Sequence, residues 1–194
     1  KYGIPYVVTI RDTDVNTFMK YMMHLRSRGV RIMRDARAIF FLSEEYRKQV
    51  FDKYVPERYK EALLKKSYII PNGIDDFWLD NLYAEKDIEM SIQRFAEKKV
   101  KILYAGRINK RKNISLTLDA IEILKGKGWN VEFTVVGKVE DKDEYEKIRN
   151  AGCCTYLEAR PKEELVDIYR ENDLFVMPSH TETFGLVYAE ALSQ

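Results

Sequence analysis

The sequence predicts an alternating α/β fold built on parallel sheets, and three observations carry that expectation. Short apolar runs rich in β-branched residues recur along the 194-residue chain. Between them lie charged segments whose apolar positions repeat at helical spacing. Turn formers such as glycine close most of the apolar runs. Strands alternating with helices of this length build parallel sheets through crossover connections, with helices on both faces.

Residues 4–10, which follow Gly3, read as a buried parallel strand. Residues 14–37 carry Phe18, Met22, Met23, Leu25, Val30 and Met33 among basic residues, a helical pattern interrupted near Gly29. Residues 38–42 form a short strand, followed by Ser43 as helix cap with Glu44 and Glu45 in the first turn. Residues 68–70 form another strand, closed by the turn Pro71-Asn72-Gly73. Residues 75–99 lose the rhythm and are dense in charge, as a connection between domains is. Beyond it, strands are expected at 100–105, 131–136, 155–157 and 174–177. Helices are expected at 115–125, 143–150 and 162–171, with a last one beginning near Phe184. The organisation expected is therefore a first domain over 1–78, a linker over 79–98 and a second domain over 99–194.

Composition narrows the function. Hydrophobic residues make up 45% and charged residues 33%, the balance of a globular protein. The net charge of +2 is too near neutral for nucleic acid to be the main partner. Cys153 and Cys154 are adjacent, which disfavours an ordinary disulfide, and two cysteines alone make no metal site. They suit a reducing cytoplasm, where the protein is expected. No stretch is apolar enough to span a membrane, and no signal peptide is visible. The chain begins Lys1-Tyr2-Gly3 and ends within a helical pattern, so it reads as a piece of a longer protein.

In an open parallel sheet, ligands bind beyond the carboxyl ends of the strands. Three segments there carry unusual chemistry: Gly106 to Asn113, Val136-Gly137-Lys138, and Pro178 to Gly185. Gly106 allows a close turn. Arg107 offers a planar fork and Lys112 a point charge, and both suit a diphosphate. A basic, solvated loop explains the same residues equally well. Glu182 precedes a helix opened by Gly185, Leu186 and Val187, whose unpaired amides favour an anion, with Glu190 about a turn and a half into that helix. Glu190 would then accept hydrogen bonds from two ribose hydroxyls, and Glu182 would face a sugar beyond the phosphate. A capped helix with acidic residues near its start is the plainer alternative. The combination of the basic loop with this helix favours the functional reading.

The string from Pro178 to Leu192 resembles the E-x7-E motif of the large retaining glycosyltransferase family known as glycosyl transferases group 1, with Glu182 and Glu190 as its acids. Gly106-Arg107 through Lys112-Asn113 is similar to that family's G-R-x4-K-[GN] segment. Residues 69–75, Ile-Ile-Pro-Asn-Gly-Ile-Asp, resemble the signature before its interdomain linker. The resemblance implies a GT-B fold of two Rossmann-like domains with the active site between them. Here it would comprise the later part of the acceptor-side domain and most of the donor domain. It implies that Arg107 and Lys112 hold the donor diphosphate, with Gly106 at the turn, and that Glu182 contacts the transferred sugar. Phe184 falls within the donor motif. Gly185, Leu186 and Val187 would present backbone amides, Glu190 would bind the ribose, and Tyr156 and Leu157 would seat the nucleobase. The donor would be a UDP-, GDP- or ADP-linked sugar, the acceptor a saccharide or lipid-linked sugar, and no cofactor or metal would be needed. Residues 1–194 alone would not turn over. A nucleotide-sugar-binding module without turnover and a GT-B-fold epimerase are the alternatives.

One departure stands out. Where the family often has histidine after an early strand, this chain has Arg11, in Val8-Thr9-Ile10-Arg11-Asp12-Thr13-Asp14. Arg11 and Asp14 are acceptor-side candidates, although an ion pair of Arg11 with Asp12 or Asp14 is the simpler expectation. The basic residues from Lys20 to Arg37 suit either a peripheral contact with the inner membrane face or an ordinary solvated helix face, the latter being simpler. His24 and His180 are read as incidental, Cys153 and Cys154 as small buried residues, and Asp173 as a turn former.

Overall fold

The structure is a computed structural model that describes residues 4–11, 13–83, 88–182 and 184–194. It divides into two compact units, Lys1–Gly73 and Ile74–Gln194.

Unit 1 holds a three-stranded parallel sheet of β1 (Val7–Ile10), β2 (Ala38–Phe41) and β3 (Ser67–Ile69), in the order β1-β2-β3. The period-2 alternation of strands sorts the side chains. Ile39 and Phe41 face a core made with α1 (Arg26–Asp35), α2 (Glu44–Tyr54) and α3 (Glu57–Leu64). Ser43 caps α2 as expected, its hydroxyl accepting from the Tyr46 amide at 3.2 Å.

The expected break at Gly29 lies elsewhere. The chain forms a wide turn over Asp14–Met19 and a single tight turn over Met23–Leu25, and Gly29 then lies inside α1. The reason is packing: a Cβ on Gly29 would meet the Met19 methyl at 3.0 Å, so glycine lets the two segments close together. The first strand is also shorter than predicted, Val7–Ile10.

Unit 2 begins with α4 (Asp76–Asp80) and α5 (Ile88–Ala96), helices within the stretch whose charge density suggested a connection. Its sheet has the order β6-β5-β4-β7, all parallel: β4 (Lys99–Ala105), β5 (Asn130–Val136), β6 (Cys154–Leu157) and β7 (Leu174–Phe175). Alternate residues of β4 serve two cores. Ile102 and Tyr104 pack with α6 (Ile114–Gly126) and α7 (Lys142–Asn150). Leu103 and Ala105 pack with α4, α8 (Lys162–Arg170) and α9 (Leu186–Leu192). Helices thus cover both faces, and the central strands read as continuous apolar runs for that reason. No helix among the described residues is long and apolar enough to cross a membrane.

Asp173 is more than a turn former. Its side chain is 0% exposed and accepts from Ser91 Oγ at 2.7 Å, Arg94 Nε at 3.0 Å and the Lys101 amide at 2.8 Å. It ties α5 to the start of β7. Burial pushes its carboxyl up, but the Arg94, Lys101 and Ser91 bonds together outweigh that and hold it below the usual range. Its stabilising effect is therefore present above the unfolded aspartate range and lost as pH falls through the lower folded value. Asp173→Ala is expected to cost about 3 kcal/mol, because it strips the partly exposed Arg94 of its counter-charge. Denaturant melts should show the loss at neutral pH and a flatter acid limb in the variant.

Candidate functional site

Three loops leave the carboxyl ends of β4, β5 and β7. Because these strands are adjacent, the loops are neighbours. The β4 and β5 loops are laced together: the Gly106 amide donates to Val136 O at 2.9 Å, Ile108 to Lys138 O at 2.9 Å, and Glu140 to Ile108 O at 3.0 Å. A Cβ on Gly137 (φ +151°) would lie 1.8 Å from the Gly106 carbonyl oxygen, so only glycine fits.

Asn109 sets the position of Lys112. Its side-chain oxygen accepts from the Lys112 amide at 3.2 Å and closes a single 3₁₀ turn over Lys110–Lys112. Asn113 then adopts the left-handed conformation (φ +54°) that starts α6. This turn carries Lys112 inward, to 7% exposure. Its Nζ lies 2.6 Å from Glu182 Oε2 and 3.5 Å from Met177 Sδ. Gly185 is left-handed (φ +69°), and a Cβ there would lie 2.7 Å from the Tyr188 ring and 3.2 Å from Glu182 Cγ. Lys112, Glu182 and Gly185, nominated from two separate stretches of sequence, are therefore neighbours in the structure. The His180 amide donates to Arg111 O at 2.9 Å, so the residue read as incidental latches the third loop to the first through its backbone.

Arg107 turns toward the β5 loop instead. Its Nη1 lies 3.2 Å from Glu140 Oε1, while Glu140 Oε2 accepts from Asn109 Nδ2 at 2.7 Å. Asn109, with Arg107 second, holds the Glu140 carboxyl below the usual range. The Arg107 side chain is 60% exposed, and pairs of that kind hold weakly, so the guanidinium is free to exchange Glu140 for another anion.

A tyrosine hydroxyl pins each loop by a backbone carbonyl. Tyr104 donates to Arg107 O at 2.7 Å, Tyr156 to Gly137 O at 3.0 Å, and Tyr188 to Met177 O. Tyr104 is fully buried, and burial, with the Glu182 charge second, raises its pKa, so it remains a neutral donor. Tyr104→Phe is expected to cost about 1 kcal/mol of stability by chemical denaturation.

Tyr156 also lines an open cleft of about 770 Å³ with Gly137, Lys138, Lys142, Tyr145 and Glu158. The Tyr145 ring stands edge-on to it at 4.9 Å. Leu157 ends β6 and packs against the α8 side of the sheet, as does Val187. Phe184 and Leu186 flank Gly185 and are partly exposed; Thr183 lies outside the described residues. Glu190, on α9, is half-buried, and burial raises its carboxyl pKa.

In unit 1, the expected Arg11–Asp14 ion pair is not formed. The Asp14 carboxylate accepts from the Arg11 amide at 2.9 Å instead, closing the turn after β1, and Tyr46 Oη donates to Arg11 O at 2.7 Å. A backbone N–H next in the turn is closer to hand than a long side chain. Asp12 lies outside the described residues. Cys153 and Cys154 are free and half-buried rather than fully buried. No cluster of three or more His, Cys, Asp or Glu able to hold a metal exists among the described residues.

Sequence reading missed Glu140, Asn109, Tyr104 and Tyr188. A signal existed for Tyr104, since a tyrosine within an otherwise aliphatic buried strand needs a partner for its hydroxyl.

Unit 2 thus presents two cations, each held by a carboxylate, at the end of a parallel sheet where ligands bind. The family profile for glycosyl transferases group 1 matches residues 85–194. The chain belongs to this family. The glycosyl transferases group 1 chain is 25% identical over 197 residues to the capsular polysaccharide biosynthesis glycosyltransferase CapM of Staphylococcus aureus, covering 95% of this chain and 49% of that one. Over 98 residues it is 34% identical to a D-inositol 3-phosphate glycosyltransferase of Paenarthrobacter aurescens, covering 46% and 24% of the two chains. The crystal structure of Anabaena HepE in complex with UDP superposes with a TM-score of 0.70 at 17% identity, covering 97% of this chain and 50% of that one. The fold is of the GT-B type, and the chain spans about half the length of CapM and of HepE.

Proposed function

We propose that the whole protein is a retaining glycosyltransferase that moves a hexosyl group from a nucleoside-diphosphate sugar to a saccharide or lipid-linked acceptor. Unit 2 would bind the donor, and unit 1, with Arg11 and Asp14, would serve the acceptor. The contact between Lys112 and Glu182 carries this reading, because it joins a phosphate-type cation to a sugar-facing acid across two loops. The UDP complex of HepE and the polysaccharide role in the name of CapM support it.

In this mechanism the diphosphate displaces Glu140 from Arg107 and Glu182 from Lys112, and both cations turn to the phosphates. The bond from the anomeric carbon to the phosphate oxygen breaks, and its electron pair leaves with the diphosphate. The acceptor oxygen bonds to that carbon on the same face, and its proton passes to the departing phosphate oxygen. Once the donor is bound, Lys112, Arg107 and the amides of Gly185, Leu186 and Val187 stabilise the growing negative charge without further reorganisation. Glu182, freed from Lys112, faces the sugar. Tyr156 and Leu157 border the base, and Glu190 holds the ribose. The reaction as proposed uses no cofactor beyond the donor.

The test uses the full-length enzyme with a panel of nucleoside diphosphates, calorimetry and a transfer assay. Glu182→Ala should abolish transfer and spare nucleotide binding, whereas Glu190→Ala should weaken both. Turnover that survives Glu182→Ala overturns its role. The raised Glu190 pKa also sets a pH dependence: as pH is lowered, nucleotide affinity should begin to fall while still above the ordinary glutamate range, because the carboxylate that accepts the ribose hydroxyls is protonated early. Glu190→Gln should remove that acid limb.

A further inference from the structure

A second concentration of positive charge lies in unit 1. A cleft of about 680 Å³ runs between α1 and the turn that joins α2 to α3. Five arginines line it, Arg26, Arg28, Arg31, Arg34 and Arg58, and no carboxylate does. Arg28, Arg31 and Arg34 recur every third residue and so share one side of α1, while Arg58 reaches the cleft from α3. The Tyr59 ring carries two of these cations, Arg34 at 4.5 Å and Arg58 at 4.8 Å from its centroid.

Arg26 is occupied in the fold, donating to the Met19 and Lys20 carbonyls. The other four form no ion pair among the described residues. The neighbouring acids of α3 are engaged elsewhere: Glu57 pairs with Lys60 at 2.8 Å and Glu61 with Lys65 at 2.8 Å. Four like charges held on one cleft without a counter-charge are mutually repulsive, and the aromatic platform orients two of them in advance. Planar guanidinium forks match the oxygens of a phosphate group.

We propose that this cleft binds a phosphate-bearing anion, at a site separate from the loops of unit 2. A free phosphorylated compound and a phospholipid headgroup share the required chemistry. The cleft is suited to one or two phosphate groups, and its all-arginine, carboxylate-free lining selects against neutral sugars.

The experiment titrates the 194-residue chain with inorganic pyrophosphate and follows the backbone amide resonances of residues 26–34 and 56–59. In parallel, the chain is sedimented with phosphatidylcholine vesicles that contain or lack phosphatidylglycerol. Pyrophosphate is expected to shift these resonances, and Arg31→Glu/Arg58→Glu to weaken that response roughly tenfold or more. Lys112→Ala should leave it unchanged, which separates this site from the donor loops. Arg31→Lys/Arg58→Lys should give an intermediate loss, since charge is kept and the fork is not. Sedimentation with the phosphatidylglycerol vesicles alone, lost in the same charge-reversal variant, identifies the headgroup as the source. Binding of pyrophosphate without sedimentation identifies a free ligand. The proposal is overturned if neither probe engages these residues, or if the charge-reversal variant, shown folded by its melt, binds as the wild type does.

Discussion

Lys112→Ala in the full-length enzyme is expected to lower kcat/KM by roughly two to three orders of magnitude. That is the scale on which one fixed stabiliser of transition-state charge acts. The position explains the size of the effect. Lys112 is 7% exposed, wedged against Met177 and bonded to Glu182 at 2.6 Å, so water cannot easily replace it. Fold stability should change less, because the Glu182 side chain is 28% exposed and, in the variant, water can take the place of Lys112 beside it. Lys112→Arg should recover little, since the longer planar head does not fit the space beside Met177. Steady-state kinetics with the native donor, together with a melt of each variant, checks this. A loss below threefold would remove Lys112 from the machinery.

Gly137→Ala is expected to abolish folding or to cost more than about 3 kcal/mol. A methyl group at this position would sit 1.8 Å from the Gly106 oxygen, inside bonding-contact range of a backbone atom. Neither loop can yield without breaking the bonds from Gly106 to Val136 and from Ile108 to Lys138. Gly126→Ala is the matched control. It ends α6 with nothing within 4 Å of the added Cβ, so it should be neutral or stabilising by up to about 1 kcal/mol. Denaturant unfolding of the two variants side by side separates the close approach at Gly137 from a general intolerance of alanine.

Much of the fold was legible because its signals are local. The strands of unit 2 are short apolar runs bounded by turns, and each appears within two residues of its expected limits. Ser43 announced α2 by the same logic. What the sequence hid depends on tertiary partners. Gly29 looked like a helix breaker but serves the packing of Met19 against α1. Asp173 looked like a turn residue because its three partners, Ser91, Arg94 and Lys101, lie more than seventy positions away. The site divides in the same way. Lys112, Glu182 and Gly185 could be nominated from motif chemistry. The carboxylate that holds Arg107 could not, because Glu140 reaches it from the next strand's loop, 33 positions on. The arginine cleft shows both sides: four of its five arginines lay in a visible basic run, whereas Arg58 joins them only through the packing of α3 on α1.

The most direct measurement is a crystal structure of this chain bound to a nucleoside diphosphate. The diphosphate oxygens should lie within hydrogen-bonding distance of both Lys112 Nζ and the Arg107 guanidinium, beside the Gly185 amides, with the Arg107–Glu140 contact open. A diphosphate bound elsewhere, or one that leaves Lys112 on Glu182 and Arg107 on Glu140, would contradict a shared cradle.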